Sequence, residues 1–233
     1  MFDFVIPARN EADVIGRLIG QLRSEFRDQV RVVVADNASE DGTAESAKAA
    51  GANEVVHVTR VGKGYAAMAA LKSCTSEFVM FCDADISGLE RRDVIGLIRA
   101  VEARDLLFGR LDLQRSPRDA PVTTLTAIPL LRLFGVDGTR EPLGGLMAVR
   151  RSFALASHLP GDWGFDVALT LSSLARSREV VETPAPRVEH RRRDLGDYRV
   201  MAEQVSAAIL RHFGALPWTH DNCTACTVAV AAG

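Results

Sequence analysis

The chain has 233 residues, of which 47% are hydrophobic and 25% charged, a composition typical of a globular protein rather than a disordered or fibrous one. Its formal net charge of −2 gives no overall attraction to nucleic acid or to anionic lipid, so any anion site must be local. No apolar run reaches the roughly 20 residues that cross a bilayer, and no basic segment precedes the first strand pattern. We therefore expect a cytoplasmic protein that has no nucleic-acid partner and no stable membrane insertion.

The first half alternates short apolar runs with helical patterns. Pro7 ends the first run, and Asn10 is placed to cap a helix whose apolar residues recur at helical spacing from Val14 to Leu22. This alternation predicts an α/β fold, with a doubly wound, mostly parallel central sheet and helices on both faces. The predicted strands are Phe2–Ile6, Val30–Ala35, Glu54–Val58 and Phe78–Cys82, and the helices that follow the first are Asp41–Ala50, Tyr65–Leu71 and Arg91–Ala103.

The pattern is weaker in the second half. Arg110–Ala120 is polar and predicts a surface loop, while Pro129 should kink or split the helical pattern Val122–Phe134. No repeat separates the parts, so we expect one domain over 1–213, with a nucleotide-binding half 1–109 and a second half 110–213 that completes the site, followed by a tail 214–233. The other predicted elements are strands Asp105–Gly109, Leu146–Val149 and Val180–Thr183 and helices Phe165–Arg176 and Asp197–Phe213.

The four cysteines favour a reducing compartment. Cys74 and Cys82 lie in apolar segments typical of buried free thiols, whereas Cys223 and Cys226 form a late Cys-X-X-Cys three residues after His220. Because no second ligand pair stands at zinc-finger spacing, a plain tail is the better interpretation than a metal or redox site.

The most informative stretch is a buried strand that ends in two carboxylates. Phe78–Cys82 is apolar throughout, and Asp83 and Asp85 follow it. Successive strand residues point to opposite faces, so these two carboxylates face the same side and can bind one divalent cation. Such an arrangement suits a nucleoside diphosphate. An isolated Asp-X-Asp is more often a solvated turn, so other segments must decide.

Several other polar groups have two interpretations each. Lys63, between two glycines, fits either a phosphate contact or a turn, and Asp36 and Asn37 either bind a base or cap the next helix. Asp166 is either a first-turn acid that favours the helix dipole or a carboxylate that accepts a hydrogen bond, or a proton, from an acceptor hydroxyl. The run His190–Arg193 is either a solvated face or a metal ligand followed by diphosphate-binding guanidinium groups.

Four ordered segments resemble the GT-A glycosyltransferases of family 2 type, and five in the second half are similar to the glucosyl-3-phosphoglycerate synthases. Those of the first half are Val5–Glu11, Val34–Thr43, Gly62–Gly64 and Phe81–Asp85. Those of the second half are Val122–Thr123, Pro129–Leu131, Pro142–Gly145, Gly164–Asp166 and Val188–Arg191. The resemblance covers the chain to about Phe213.

The resemblance implies a GT-A fold and a metal-dependent hexosyltransferase with Mg²⁺ or Mn²⁺ as cofactor. The enzyme would move a sugar from a nucleoside diphosphate sugar, UDP-glucose in particular, to a small polar acceptor with retention of anomeric configuration. The cation would neutralise the leaving diphosphate. The resemblance also allows a homodimer.

Site residues are carried over from the same resemblance. The nucleotide-sugar-binding residues would be Pro7, Ala8, Arg9, Glu11, Asp36, Asn37, Lys63, Asp83, Ala84, Asp85, Leu143, Gly144, Gly145 and Arg193. Metal binding would fall to Asp85 and His190, acceptor binding to Thr123, Trp163, Asp166 and Arg192, and catalytic roles to Asp85, Lys63 and Asp166. No protein nucleophile is agreed for these enzymes, so Asp166 is given a positioning role.

The chain departs from the family in one place that concerns the acceptor. Pro121 stands where those enzymes have an arginine that binds the acceptor phosphate, and Arg118 or Arg191–Arg193 are the candidate replacements. We therefore expect an acceptor other than 3-phosphoglycerate. The alternatives are a polyprenyl-phosphate sugar synthase, a non-catalytic sugar-nucleotide-binding protein and a nucleotidyltransferase. The last would need a glycine-rich basic segment that Pro7–Glu11 lacks.

Overall fold

The computed structural model describes residues 2–177, 179–189, 191, 195–219 and 223–224. Seven strands and eight α-helices are assigned within these ranges. The strands are β1 Phe2–Ala8, β2 Val30–Asp36, β3 Glu54–His57, β4 Phe78–Phe81, β5 Phe108–Asp112, β6 Met147–Arg150 and β7 Val181–Pro184. The helices are α1 Ile15–Phe26, α2 Thr43–Ala49, α3 Lys63–Ser73, α4 Arg91–Ala103, α5 Ile128–Leu133, α6 Arg151–Leu155, α7 Phe165–Ser177 and α8 Leu195–His212.

The strands form one mixed sheet in the order β3-β2-β1-β4-β6-β5-β7. β1 to β4 are parallel, β6 is antiparallel to both of its neighbours, and β5 and β7 are parallel. One hydrophobic cluster packs α1 and α4 against one face of the sheet, and a second packs α3 and α7 against the other. The predicted α/β fold with a mostly parallel sheet and helices on both faces is confirmed, and all four residues of β4 are buried.

The first loop differs from its prediction. β1 continues through Pro7, which lies opposite Ala35 in β2 and beyond the residues that pair with β4, so its missing N–H is tolerated there. Asn10 does not cap α1, which begins at Ile15 without a side-chain cap. Its Oδ1 atom instead accepts a hydrogen bond of 2.9 Å from the backbone N–H of Glu40, which joins the loops that follow β1 and β2.

The prediction of a surface loop from Arg110 onward is wrong at its start. Arg110 belongs to β5 and has no exposed surface. Its guanidinium donates hydrogen bonds to the carbonyl of Glu141 and to the hydroxyl of Thr170, and Glu182 lies 3.9 Å away. A buried charge is stable only where hydrogen bonds and opposite charge compensate for lost solvation, and both come from residues distant in sequence.

Pro129 divides the apolar helical segment, as predicted. A π-helical turn over Thr123–Ala127 leads into α5, and Pro129 lies in the first turn of α5, directly after the change from π-helical to α-helical bonding. Leu125 and Leu133 on this segment are 77% and 82% exposed. Within the described ranges, no helix combines the length and the apolar character needed to span a membrane.

The described cysteines are free and buried, which confirms the prediction for Cys74 and Cys82. Cys223 is also buried and pairs with Pro160 in an isolated β-bridge, so the segment predicted as a plain tail returns to the domain at that point. Cys226 and His220, the other residues of the late Cys-X-X-Cys segment, lie outside the described residues.

Candidate active site

Two adjoining cavities lie at the carboxyl ends of the parallel strands. The larger, of about 550 Å³, is lined by the loops that follow β1, β2 and β4 and by the beginning of α3. The smaller, of about 30 Å³, lies beside the π-helical turn and α8. Lys63, Asp83 and Trp163 line both cavities and therefore form the border between them. Carboxyl ends of parallel strands are the usual position of ligand sites in open α/β sheets.

The Lys63 ammonium is buried between two carboxylates. Its Nζ atom lies 2.7 Å from Oδ1 of Asp83 and 2.6 Å from Oδ2 of Asp166. It also lies 5.6 Å from the centre of the Trp163 ring, within the range of a cation–π contact. Burial works to lower the pKa of Lys63, but the two carboxylates outweigh burial and raise it. The ammonium is therefore charged at neutral pH and joins the segment after β4 to the start of α7.

Asp166 lies deeper than the other two members of this cluster. Its side chain is 1% exposed, and burial raises its pKa to about 6 although Lys63 works to lower it. Its second oxygen, Oδ1, is buried and has no hydrogen-bond partner in the described part of the chain. Asp166 is absent from the described lining of both cavities. It therefore acts on the site through Lys63, and the predicted contact with sugar or acceptor stays a prediction.

The glycines around Lys63 are required by packing against another loop. A Cβ atom on Gly64 would lie 2.0 Å from the carbonyl oxygen of Pro160, and Gly62 has a φ of +150° and would collide with Gly161. Asn37 completes this junction, because its Oδ1 atom accepts a 2.7 Å hydrogen bond from the N–H of Gly62. The glycines thus fix the start of α3, and the side-chain oxygen of Asn37 binds the backbone instead of capping α2.

Asp36 lies at the end of β2, where its Oδ2 atom is 3.2 Å from Nδ1 of His57. Its Oδ1 atom is buried without a hydrogen-bond partner among the described residues. Asp36 does not belong to the described lining of the larger cavity, whereas Asn37 does. The predicted contact of Asp36 with a base therefore stays a prediction.

The two carboxylates after β4 differ in what they bind. Asp83 and Asp85 both line the larger cavity, but they lie in the turn beyond β4 and Ala84 between them lines it too, so strand alternation is not what brings them together. Asp83 accepts a hydrogen bond from Lys63 and packs against Gly145, where an added Cβ would lie 1.9 Å from its Oδ2 atom. Asp85 is half-buried and offers carboxylate oxygens, the ligands that Mg²⁺ and Mn²⁺ prefer. In the described ranges no three His, Cys, Asp or Glu side chains come together as a metal site, so Asp85 would need further ligands.

The remaining predicted residues fall into three groups. Residues that line the larger cavity are Pro7, Ala8, Arg9, Glu11 and Ala84. Residues that line the smaller cavity are Thr123 and Leu143, with Gly144 buried behind Leu143. Residues that lie outside the described part of the chain are His190, Arg192 and Arg193, so their predicted roles stay predictions.

Arg191 and Arg118 are among the cations expected to replace the family arginine. Arg191 lines the smaller cavity, whereas Arg118 is exposed and absent from the described lining of that cavity. Arg191 forms ion pairs with Glu11 at 3.2 Å and with Asp13 at 3.1 Å.

Sequence reasoning missed the pair formed by Arg115 and Glu141. The guanidinium of Arg115 donates hydrogen bonds to both carboxylate oxygens of Glu141, and Arg115 lines the smaller cavity. The two residues are 26 positions apart, and neither belongs to a spacing pattern that would connect them. The only sequence signal is the acid directly before Pro142, in a segment that is otherwise apolar or glycine.

The sheet topology is that of the GT-A fold, and the similarity to known proteins identifies the chain as a nucleotide-sugar-dependent glycosyltransferase. Residues 3–111 match the model of the family glycosyl transferase family 2. Glucosyl-3-phosphoglycerate synthase of Mycolicibacterium paratuberculosis (strain ATCC BAA-968 / K-10) is 27% identical to the chain over 235 residues. The alignment covers 90% of this chain and 71% of that protein.

Solved structures of glucosyl-3-phosphoglycerate synthase from Mycobacterium tuberculosis are also similar. The complex with phosphoglyceric acid has a TM-score of 0.84 at 26% identity, covering 94% of this chain and 82% of that one. The complex with Mn²⁺, uridine-diphosphate-glucose and phosphoglyceric acid has a TM-score of 0.83 at 25% identity, covering 94% and 81%. The resemblance stated from the sequence motifs, the GT-A fold and the glycosyltransferase class are confirmed.

Replacing Gly145 with alanine should disturb the site through Asp83. The new Cβ would overlap the carboxylate, so Gly145→Ala should lower the free energy of unfolding by about 1–3 kcal/mol in urea denaturation. Gly96→Ala is the matched control, because no heavy atom lies within 4 Å of its added Cβ. In the middle of α4 that change should raise stability by about 0.5–1 kcal/mol. Equal stability of the two variants would contradict the close approach.

Replacing Lys63 with methionine should give a stability loss that depends on pH. Two buried carboxylates lose their partner, so Lys63→Met should cost about 3–5 kcal/mol near pH 7.5. Lys63 lowers the pKa of Asp166, so this pKa should be higher in the variant. Asp166 of the folded variant therefore binds a proton at a higher pH than Asp166 of the folded wild type. The variant's deficit in urea denaturation should therefore shrink as pH falls to about 5.5.

The control for this series is Lys72→Met, which removes an exposed lysine from the last turn of the same helix. It should change stability by less than about 0.5 kcal/mol at each pH. A Lys63→Met deficit that stays constant or grows on acidification would mean that Asp166 does not take up the proton.

Proposed function

We propose that the chain moves a sugar, glucose in the first instance, from a UDP-linked donor to a small polar acceptor with the help of Mg²⁺ or Mn²⁺. The observation that carries the proposal is the Lys63 cluster on the border of two cavities of unequal size. The larger, at about 550 Å³, falls in the range of small-molecule sites. A donor bound there would bring its sugar to the border, next to the smaller cavity, which would take the acceptor hydroxyl.

The relatives support this choice of donor and cation. The Mycobacterium tuberculosis enzyme forms a complex with Mn²⁺, uridine-diphosphate-glucose and phosphoglyceric acid, and it shares the fold over 94% of this chain. The larger cavity contains the segments Pro7–Glu11 and Asp83–Asp85, two of the four motifs on which the family resemblance rests.

Asp85 is the described residue that we expect to hold the cation, and His190 is its predicted partner. A bound divalent cation would neutralise the charge that develops on the departing diphosphate. Asp83 has a different task here, because its carboxylate binds Lys63 and is supported from behind by Gly145. Lys63 and Trp163 would orient the sugar at the border, where a fixed ammonium and a rigid ring hold their positions without reorganisation.

We also propose that the anomeric configuration is retained. An inverting transferase needs a base in contact with the acceptor hydroxyl. Asp166, the acid predicted near the acceptor, is bonded to Lys63 and absent from the described lining of both cavities. This supports a positioning role for Asp166. Proton NMR of the product should show the anomeric configuration of the donor, and the opposite configuration would contradict retention.

A thermal-shift panel of nucleotide sugars, each with and without Mn²⁺, tests the donor and the cation together. A ligand at about one hundred times its dissociation constant stabilises the native state enough to raise the melting temperature by about 5–10 °C in a chain of this size. We expect this rise for UDP-glucose with Mn²⁺ and a much smaller one when either component is omitted.

Asp85→Asn should abolish the Mn²⁺-dependent part of the shift. The matched control is Asp137→Asn, which alters an exposed carboxylate 3.9 Å from Arg132 and should keep the full shift. A shift that persists in Asp85→Asn would remove the metal assignment, and the absence of any shift across the panel would remove the proposed function.

A further inference from the structure

We propose that the smaller cavity selects an uncharged hydroxyl compound as acceptor, and that the ion pair between Arg115 and Glu141 sets this preference. The inference rests on the proposed function and concerns the acceptor class alone. It rests on three observations. The described cations around the cavity are paired with carboxylates, the ion pair of Arg115 with Glu141 is held rigidly, and the cavity is small.

Each cation among the described residues that line the smaller cavity is already paired with carboxylates. Lys63 binds Asp83 and Asp166. Arg191 binds Glu11 and Asp13, and Arg115 binds Glu141. An additional carboxylate, Asp119, lines the cavity as well. An acceptor with a phosphate or carboxylate would therefore meet cations whose charge is already neutralised.

The pair of Arg115 with Glu141 is held in place from several sides. Glu141 is 3% exposed, and both of its carboxylate oxygens accept hydrogen bonds from Arg115. Its carbonyl accepts a hydrogen bond from the buried guanidinium of Arg110, and the same carbonyl accepts one of 2.9 Å from the N–H of Gly144. The hydroxyl of Thr123 approaches Oε1 at 3.5 Å. Such a pair cannot rotate away to release Arg115 without breaking buried hydrogen bonds.

Breaking the pair would leave Glu141 as an unpaired carboxylate in a buried position. Removing one partner of a buried ion pair is strongly unfavourable because the other charge stays desolvated. A hydroxyl group needs no such change, since it can donate to a carboxylate and accept from a guanidinium that remain paired with each other. The electrostatics of the cavity therefore favour neutral hydroxyl compounds over anions.

The size of the space agrees with this preference. A volume of about 30 Å³ accommodates about two water molecules. Val122, Leu143 and Met201 contribute apolar surface to the same cavity, which suits the carbon skeleton of a polyol. One hydroxymethyl group that points toward Lys63 and Trp163 would fill the space between the Arg115–Glu141 pair and the border of the two cavities.

The decisive variant is Glu141→Gln, which retains a hydrogen-bond acceptor for Arg115 and removes the negative charge that neutralises it. Isothermal titration calorimetry should follow binding of 3-phosphoglycerate to protein loaded with UDP and Mn²⁺. We expect the variant to bind this anion at least about tenfold more tightly than wild type, because an unneutralised guanidinium then faces the cavity. Equal affinity, including no detectable binding to either protein, or tighter binding by wild type, contradicts the proposal.

Two further variants test whether the effect comes from Arg115. The double variant Glu141→Gln with Arg115→Gln should lose the gained affinity, because the cation is gone. Glu179→Gln is the matched control, since Glu179 is also paired with an arginine, Arg104, but is exposed and remote from the cavity. It should bind the anion as wild type does. A gain of affinity that survives in the double variant, or that appears in the control, overturns the role of the pair.

Wild-type selectivity provides a test that needs no variant. Transfer from UDP-glucose should proceed with higher kcat/KM to glycerol than to glycerol 3-phosphate, 3-phosphoglycerate or a short polyprenyl phosphate. Higher kcat/KM for any of the three phosphorylated acceptors overturns the inference and leaves the proposed function standing. If no acceptor is used, the calorimetric comparison decides. Failure of the proposed function itself would appear earlier, as the absence of donor- and metal-dependent stabilisation.

Discussion

The buried ammonium of Lys63 is the interaction on which the site depends. An ionised group without partners in a protein interior costs many kcal/mol, so the ammonium is tolerable only where carboxylates accompany it. Asp83 comes from the end of β4 and Asp166 from the first turn of α7, and both lie within 2.7 Å of the same nitrogen. Three elements from the two halves of the domain must therefore meet at one point before the charge is compensated.

The cluster also determines what the rest of the site has to supply. One ammonium between two carboxylates carries a net negative charge when both acids are ionised, so it cannot by itself attract a diphosphate. Under the proposed function, positive charge for the donor must come from a cation bound with it and from groups such as Arg9, which lines the larger cavity. Under the same proposal Asp85 is the carboxylate that we expect to hold the metal, because Asp83 binds Lys63.

Features that depend on neighbouring residues in the sequence could be predicted, whereas features that depend on residues far apart in the sequence could not. The first four strands and the helices between them follow from local periodicity, and they were predicted, whereas α6 was not. The burial of Arg110 depends on Thr170, 60 positions away, and the pairing of Arg115 depends on Glu141, 26 positions away. No local pattern distinguishes these arginines from those of a solvated loop, because a charged side chain has the same sequence appearance in both environments.

The two cavities are built from different parts of the chain, and this has a consequence for how acceptors can differ among related enzymes. The larger cavity is lined by the end of β1, by the loops that follow β1, β2 and β4, by the beginning of α3 and by residues of α8. The smaller one takes Arg115 and Pro121 from a connecting segment and is bordered by Glu141 from another. Substitutions in those segments change the charge that meets the acceptor without moving the strands that carry the donor residues. Under the proposed function, a chain can therefore keep a GT-A donor site while an acceptor pocket with a paired arginine and a proline takes a different class of molecule.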